Sequence, residues 1–132
     1  MEIHGEAQGW MPNKKLNIRR AVLLWLSTTG YMGLIFFLSS QEKFGFTLPA
    51  NSDKIIHAFA YMPLGFLFYI SLRASGVRNY LFVAASLLAC IYGISDEIHQ
   101  FFVPGRYASL GDVVADAVGA LTGSFIGSFL NH

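Results

Sequence analysis

Histidines and carboxylates occur in the apolar part of this chain at spacings that could support proton transfer. His57 follows Asp53 by four residues, and His99 follows Asp96 by three. Residues three or four apart share one face of a helix, so each imidazole would have a carboxylate beside it. A carboxylate that orients an imidazole is the usual arrangement for general acid–base catalysis or metal ligation. Ionisable groups at membrane depth are costly unless paired or hydrated, so these residues indicate a site.

Two more acids, Asp112 and Asp116, begin a third apolar segment one helical turn apart. An acid in a first turn can simply favour the positive end of the helix dipole, which is a sufficient explanation for Asp112 and for Asp53. Asp116 lies one turn deeper, where capping no longer explains it. A pairing with Arg106 or with His99 would explain it, and such a pair could itself be purely structural.

A cation for an anionic ligand is supplied by Arg106, which follows a Pro-Gly turn. Guanidinium binds phosphate or carboxylate through two parallel hydrogen bonds. The alternative is an arginine that only anchors the chain at lipid headgroups. We predict catalytic roles for His57, His99, Asp53, Asp96 and Asp116. We predict ligand-binding roles for Arg106, Lys54, Glu97, Gln100 and Asp112.

Other site chemistries have weaker support in the sequence. No HExxH motif or cysteine pair is present, so no metal ligand is assigned and the cofactor stays unknown. No nucleophile-elbow motif surrounds the serines near His99. Both histidines could instead be structural hydrogen-bonding groups between helices. The single cysteine, Cys90, excludes an intrachain disulfide.

The composition is that of a membrane protein. Hydrophobic residues make up 54% of the 132 residues and charged residues only 13%, about half the share usual in soluble domains. The net charge of +1 and the lack of a basic patch exclude a nucleic-acid partner. Four apolar segments, at 20–38, 54–72, 79–101 and 112–130, are long enough to cross the bilayer as helices. We therefore expect an all-α membrane fold with short loops, in which residues 1–19 form a tail and 20–132 the membrane domain.

Basic residues predict the orientation of these four helices. Six of them lie on one side of the predicted membrane: Lys14, Lys15, Arg19, Arg20, Arg73 and Arg78. The positive-inside rule then places both termini in the cytoplasm. All the predicted site residues would converge at the outer ends of the second, third and fourth helices. On the fourth helix Asp112 and Asp116 share a face with Gly119, Gly123 and Gly127, a small-xxx-small ridge that allows close helix packing.

Three stretches resemble the VanZ-like family of small bacterial membrane proteins. They are DKIIHAFAY at 53–61, SDEIHQFFVPGR at 95–106 and SLGDVVADAVG at 109–119. Asp116 stands where the family pattern often has Asn. The family takes its name from a protein linked to low-level resistance to teicoplanin, a lipoglycopeptide antibiotic. The resemblance implies a cell-envelope role in a bacterial inner membrane and does not specify a reaction.

Three functional hypotheses follow. In the leading one, an outer-leaflet site binds a phosphate-bearing lipid or lipid-linked glycan and modifies it as a hydrolase or transferase. His57 and His99 would then be the acid and base. The second is a non-enzymatic module that binds a lipid or a lipoglycopeptide. The third is a small proton-coupled transporter, which would require a homo-oligomer because four helices without a repeat are few for a transport path.

Overall fold

Four long helices make up the computed structural model of the protein, which describes residues 17–40, 52–104 and 109–130. Helix α1 spans Ile18–Ser39, α2 Ser52–Ala74, α3 Leu81–Phe101 and α4 Leu110–Leu130. These described ranges contain no β-strand. Each helix is long and apolar enough to cross a membrane. The chain is thus an all-helical, multi-pass membrane protein, as its composition predicts.

The predicted and observed helices differ by no more than two residues at either end. α1 begins earlier than predicted because the Asn17 side chain caps it, accepting a hydrogen bond from the Arg20 amide at 3.1 Å. α3 begins later because Tyr80 has a φ of 61°. That left-handed conformation is incompatible with a continuing α-helix. The predicted role of Asp53 as an acid in the first turn of α2 involves a side chain outside the described part of the structure.

The helices α2 and α4 form the most extensively packed pair. A Cβ atom on Gly119 would overlap the carbonyl oxygen of Ala58, and one on Gly123 would overlap that of Met62. From the other side, Gly65 of α2 lies equally close to the backbone of α4. The prediction that the glycine ridge of α4 allows close packing is confirmed, and its partner is α2.

Helix α1 lies at the side of this pair and is held by polar contacts. The Thr28 and Ser71 hydroxyls are 2.7 Å apart, and the Tyr31 hydroxyl donates to the carbonyl oxygen of Ala60 at 2.5 Å. Lipid tails are as apolar as leucine, so packing and hydrogen bonds, rather than hydrophobic burial, hold helices together in a bilayer. These contacts therefore fix the position of α1 against α2.

The helices alternate in direction, which brings their polar residues to one end. The Trp25 indole near the start of α1 donates to Ser75 beyond the end of α2, whereas Ser39 at the end of α1 donates to Asp96 near the end of α3. We call the end that contains Asp96 the polar end. It combines the last turns of α1 and α3 with the first turns of α2 and α4. The described arginines all lie at the opposite end: Arg19, Arg20, Arg73 and Arg78.

Candidate functional site

Among the described residues of the polar end, the shortest contact between two ionisable side chains joins His57 of α2 to Asp116 of α4. The Nδ1 atom of His57 lies 2.8 Å from Oδ1 of Asp116. Asp116 is 1% exposed, so its carboxylate is removed from solvent. Helix α3 accommodates it at Gly93, where a Cβ atom would lie only 3.0 Å from that of Asp116. Asp116 thus pairs with His57 and not with His99; Arg106, the other partner considered from the sequence, lies outside the described residues.

Asp112 lies one turn nearer the start of α4 than Asp116 and faces the same imidazole. Its Oδ2 is 3.8 Å from Nε2 of His57, and its Oδ1 is 3.8 Å from Nζ of Lys54. The Lys54 side chain is 41% exposed, whereas that of Asp112 is 6% exposed. Lys54 therefore lies at the rim of the site, and the two aspartates flank the His57 ring.

Glu97 extends from α3 to the start of α4. Its Oε2 accepts a hydrogen bond from the Ser109 amide at 2.5 Å. The Ser109 hydroxyl in turn accepts from the Asp112 amide at 3.4 Å, which is one of the two hydrogen bonds of a capping box. In a complete capping box the Asp112 carboxylate would accept a hydrogen bond from the Ser109 amide. Because Glu97 accepts from that amide instead, the Asp112 carboxylate is directed to α2.

One ligand atom each from His57, Glu97 and Asp116 lie within 4.8 Å of one another. We call these three residues and Asp112 the His57 cluster. The expected convergence of α2, α3 and α4 is therefore observed at the polar end. Oε1 of Glu97 and Oδ2 of Asp116 are buried and have no hydrogen-bond partner among the described residues.

A second group of polar contacts surrounds Asp96. Ser39 donates to its Oδ1 at 2.5 Å, while the Tyr61 hydroxyl and the Gln100 amide donate to its Oδ2, each at 3.3 Å. Asp96 is 3% exposed. Both of its oxygens are thus hydrogen-bonded, and this Asp96 cluster joins α1, α2 and α3. Its arrangement is typical of a polar network that holds helices in register.

Among the described residues, His99 contacts α1 and no carboxylate. Its Nε2 lies 2.8 Å from the Ser40 hydroxyl, and its ring stacks on Phe36 with the ring centroids 4.2 Å apart. The carboxylate that the spacing places beside it, Asp96, is bonded to Ser39 instead. His57 and His99 therefore have different partners on different helices.

Two predicted site residues lie outside the described part of the structure. They are the Asp53 side chain and Arg106, which is in the stretch 105–108. Conversely, sequence reasoning omitted Ser39 and Ser40, the partners of Asp96 and His99. The available signal was a pair of adjacent hydroxyls that follows the apolar run Leu34–Leu38 at the end of α1.

Together, the helices and clusters define a class: a four-helix multi-pass membrane protein with a buried histidine–carboxylate cluster at one end. The model of one family, described as VanZ/LLP1, matches residues 15–131, and the chain belongs to that family. The resemblance seen in the three sequence stretches is thereby confirmed. No curated protein and no solved structure matches the chain.

Proposed function

We propose that this protein binds a phosphate-bearing lipid, or a lipid-linked precursor of the bacterial cell envelope, at its polar end and modifies the headgroup. The carrying observation is the 2.8 Å contact between His57 Nδ1 and the buried Asp116 carboxylate. A carboxylate at Nδ1 fixes the tautomer and orientation of an imidazole and leaves Nε2 for proton transfer. In this proposal His57 is the proton-transfer group and Asp116 positions it.

The location in the membrane follows from the basic residues. Four arginines lie at the end opposite the His57 cluster, and two lysines precede α1 in the sequence. The positive-inside rule favours a cytoplasmic position for that end and for both termini. The polar end then faces the outer leaflet of a bacterial inner membrane, where lipid phosphates are the abundant anions.

Features around the cluster suit an amphipathic ligand. Lys54, partly exposed at the rim, offers an ammonium group to a phosphate. A shallow apolar groove runs beside Glu97 on α3 and α4, and its apolar lining consists of Ile94, Ile98, Phe101, Phe102 and Val113. An acyl chain in this groove would bring its headgroup to the polar end. Arg106 keeps its predicted role as a second phosphate ligand on the strength of its sequence position.

His99 and Asp96 have smaller roles in the proposal than His57 and Asp116. The partner of His99 is the Ser40 hydroxyl, and its described contacts include no carboxylate that would orient its ring for proton transfer. It therefore serves in the proposal as a second proton-transfer group only if a bound headgroup reaches both clusters. Gln100 contributes by holding the Asp96 carboxylate.

Lipid mass spectrometry tests the proposal. Purified wild-type protein and the His57→Asn variant are incubated with bacterial envelope lipids, and Ser71→Ala serves as a control that removes a hydrogen bond far from the polar end. We expect new lipid products with wild type and Ser71→Ala. Loss of a general acid–base group typically costs about 10²–10⁴-fold in rate, so His57→Asn should form almost none while still binding lipid.

Each other outcome changes the assignment. A lipid that co-purifies unchanged with both proteins would refute the enzymatic part and favour the non-enzymatic binding module. Absence of both binding and products would refute the lipid proposal. The family resemblance implies a role in lipoglycopeptide resistance, which altered envelope lipids would explain. That role would be supported if cells expressing the wild-type protein were resistant and cells expressing the His57→Asn variant were not.

A further inference from the structure

We propose that His57, Glu97 and Asp116 bind a divalent transition-metal ion, zinc or manganese, between α2, α3 and α4. One ligand atom from each of the three lies within 4.8 Å of the others. The inference concerns ion binding, and its test needs no lipid activity; with an ion bound, His57 and Asp116 serve as its ligands rather than as the proton-transfer pair.

The dimensions suit a single ion. Nitrogen and oxygen ligands lie about 2.0–2.2 Å from zinc, so two ligands of one ion are at most about 4.4 Å apart. A triad contained within 4.8 Å therefore needs only small side-chain movements to close around an ion. The direct contact of His57 with Asp116 at 2.8 Å is the ion-free counterpart of this arrangement, with a shared proton in place of the metal.

Three buried carboxylate oxygens of the cluster have no hydrogen bond within the described residues, and one of them, Oδ1 of Asp112, lies 3.8 Å from the Lys54 ammonium; the other two point to a missing partner. Oε1 of Glu97 and Oδ2 of Asp116 have no hydrogen bond within the described residues, although the two residues are only 5% and 1% exposed. A buried carboxylate oxygen without a partner costs free energy, and native proteins rarely retain such groups without a reason. The contrast with Asp96, whose two oxygens are both hydrogen-bonded, is instructive because it lies next to Glu97 on the same helix.

The charges of the cluster also favour a cation. Three carboxylates, on Glu97, Asp112 and Asp116, surround one imidazole, and Lys54 is paired with Asp112 at the rim. Bringing such an acidic group out of water is costly unless a cation compensates it. With its Oδ2 at 3.8 Å from His57 Nε2, on the ring nitrogen that does not face Asp116, Asp112 is placed to orient the imidazole.

The ligand types select the ion. Magnesium and calcium prefer oxygen ligands alone, so an imidazole disfavours them. Zinc and manganese accept a mixture of imidazole and carboxylate, and zinc sites with three protein ligands leave a position open. Since the ion replaces the proton between His57 and Asp116, its binding should weaken as the pH falls.

Metal content and coordination test the inference on full-length protein in detergent. After treatment with a chelator, the protein is titrated with zinc or manganese chloride by calorimetry, and bound metal is counted by elemental analysis after desalting. We expect one ion per chain, at least tenfold preference over magnesium, and X-ray absorption of the zinc form showing one imidazole with oxygen ligands. Failure of wild type to bind either ion above the magnesium level would overturn the inference.

Matched carboxamide variants locate the site. Glu97→Gln and Asp116→Asn should each lower zinc affinity at least tenfold, whereas the neighbouring Asp96→Asn should bind as wild type. Equal binding by all three variants, or an absorption spectrum without an imidazole, would also overturn the inference. The wild-type spectrum and stoichiometry remain decisive even where a variant does not fold. Metal binding without any lipid product would leave this inference intact while refuting the enzymatic proposal.

Discussion

Asp112 and Asp116 are chemically identical and one helical turn apart, yet their surroundings give them different roles. Asp112 lies where Lys54 reaches it from the rim, while Asp116 lies fully within the helix interface and contacts His57 directly. Breaking a buried ion pair by removing one partner leaves an uncompensated charge and costs about 3–5 kcal/mol. Of these two acids, Asp116 is therefore the one for which loss of its histidine partner should cost more stability.

A double-mutant cycle should expose this dependence. His57→Leu leaves the buried Asp116 carboxylate without its partner, so it should lower the free energy of unfolding by about 3 kcal/mol. Asp116→Asn should reduce that penalty, giving a coupling of about 1–2 kcal/mol. Equilibrium unfolding in mixed micelles measures both. Additive effects within about 0.5 kcal/mol would show that the two side chains do not interact.

Spacing along the chain predicts which residues share a helix face, but not which neighbour they bind. The sequence placed Asp96 and His99 correctly on one side of α3, yet their partners Ser39 and Ser40 lie more than 50 residues away. The same is true of Asp116. Its position one turn inside α4 indicated that it has a partner, but the packing of α2 on α4 determines that this partner is His57. Helix positions were predictable because apolar length determines them, whereas side-chain partners depend on tertiary contacts.

At the scale of elements, the α2–α4 interface depends on backbone contact rather than on interlocking large side chains. Gly119 and Gly123 approach carbonyl oxygens of α2, whereas Gly30 and Gly33 of α1 have open space where a Cβ atom would lie. The same residue type is thus required on α4 and unconstrained on α1. Because His57 and Asp116 lie on these two closely packed helices, the glycine contacts also set their distance.

Alanine substitutions should separate these glycines. Gly123→Ala places a Cβ atom against the Met62 carbonyl and should destabilise the protein by about 1–3 kcal/mol, as overpacking usually does. Gly33→Ala meets no neighbour and should be neutral or stabilising by up to about 1 kcal/mol, because alanine is the better helix former. Thermal unfolding of the two variants in the same detergent compares them. Equal melting temperatures would contradict the close contact.

At the scale of the whole molecule, charge is distributed between the two ends. The described arginines lie at one end, while the buried acids and histidines lie at the other. The arginines govern which way the chain inserts, and the buried acids and histidines form the candidate site. The orientation therefore decides which leaflet the candidate site can reach.

Cysteine labelling can determine that orientation, since Cys90 is the only native cysteine. In a Cys90→Ser background, Pro104→Cys and Asn79→Cys place single thiols at exposed positions on the polar and arginine-bearing ends. We expect a membrane-impermeant maleimide to label the Pro104→Cys protein in intact spheroplasts. The Asn79→Cys protein should react only after permeabilisation, because its loop is expected to be cytoplasmic. The reverse pattern would move the site to the cytoplasmic leaflet.

Helix α2 leaves the ribosome two helices ahead of α4, its main partner. Lys54 and His57 are therefore synthesised before Asp112 and Asp116. During that interval His57 has neither aspartate of its cluster beside it, and Lys54, near the helix end, can extend to the interface. The cluster closes only when α4 inserts, so the final helix of the four both completes the bundle and supplies the acids that satisfy a histidine inserted earlier.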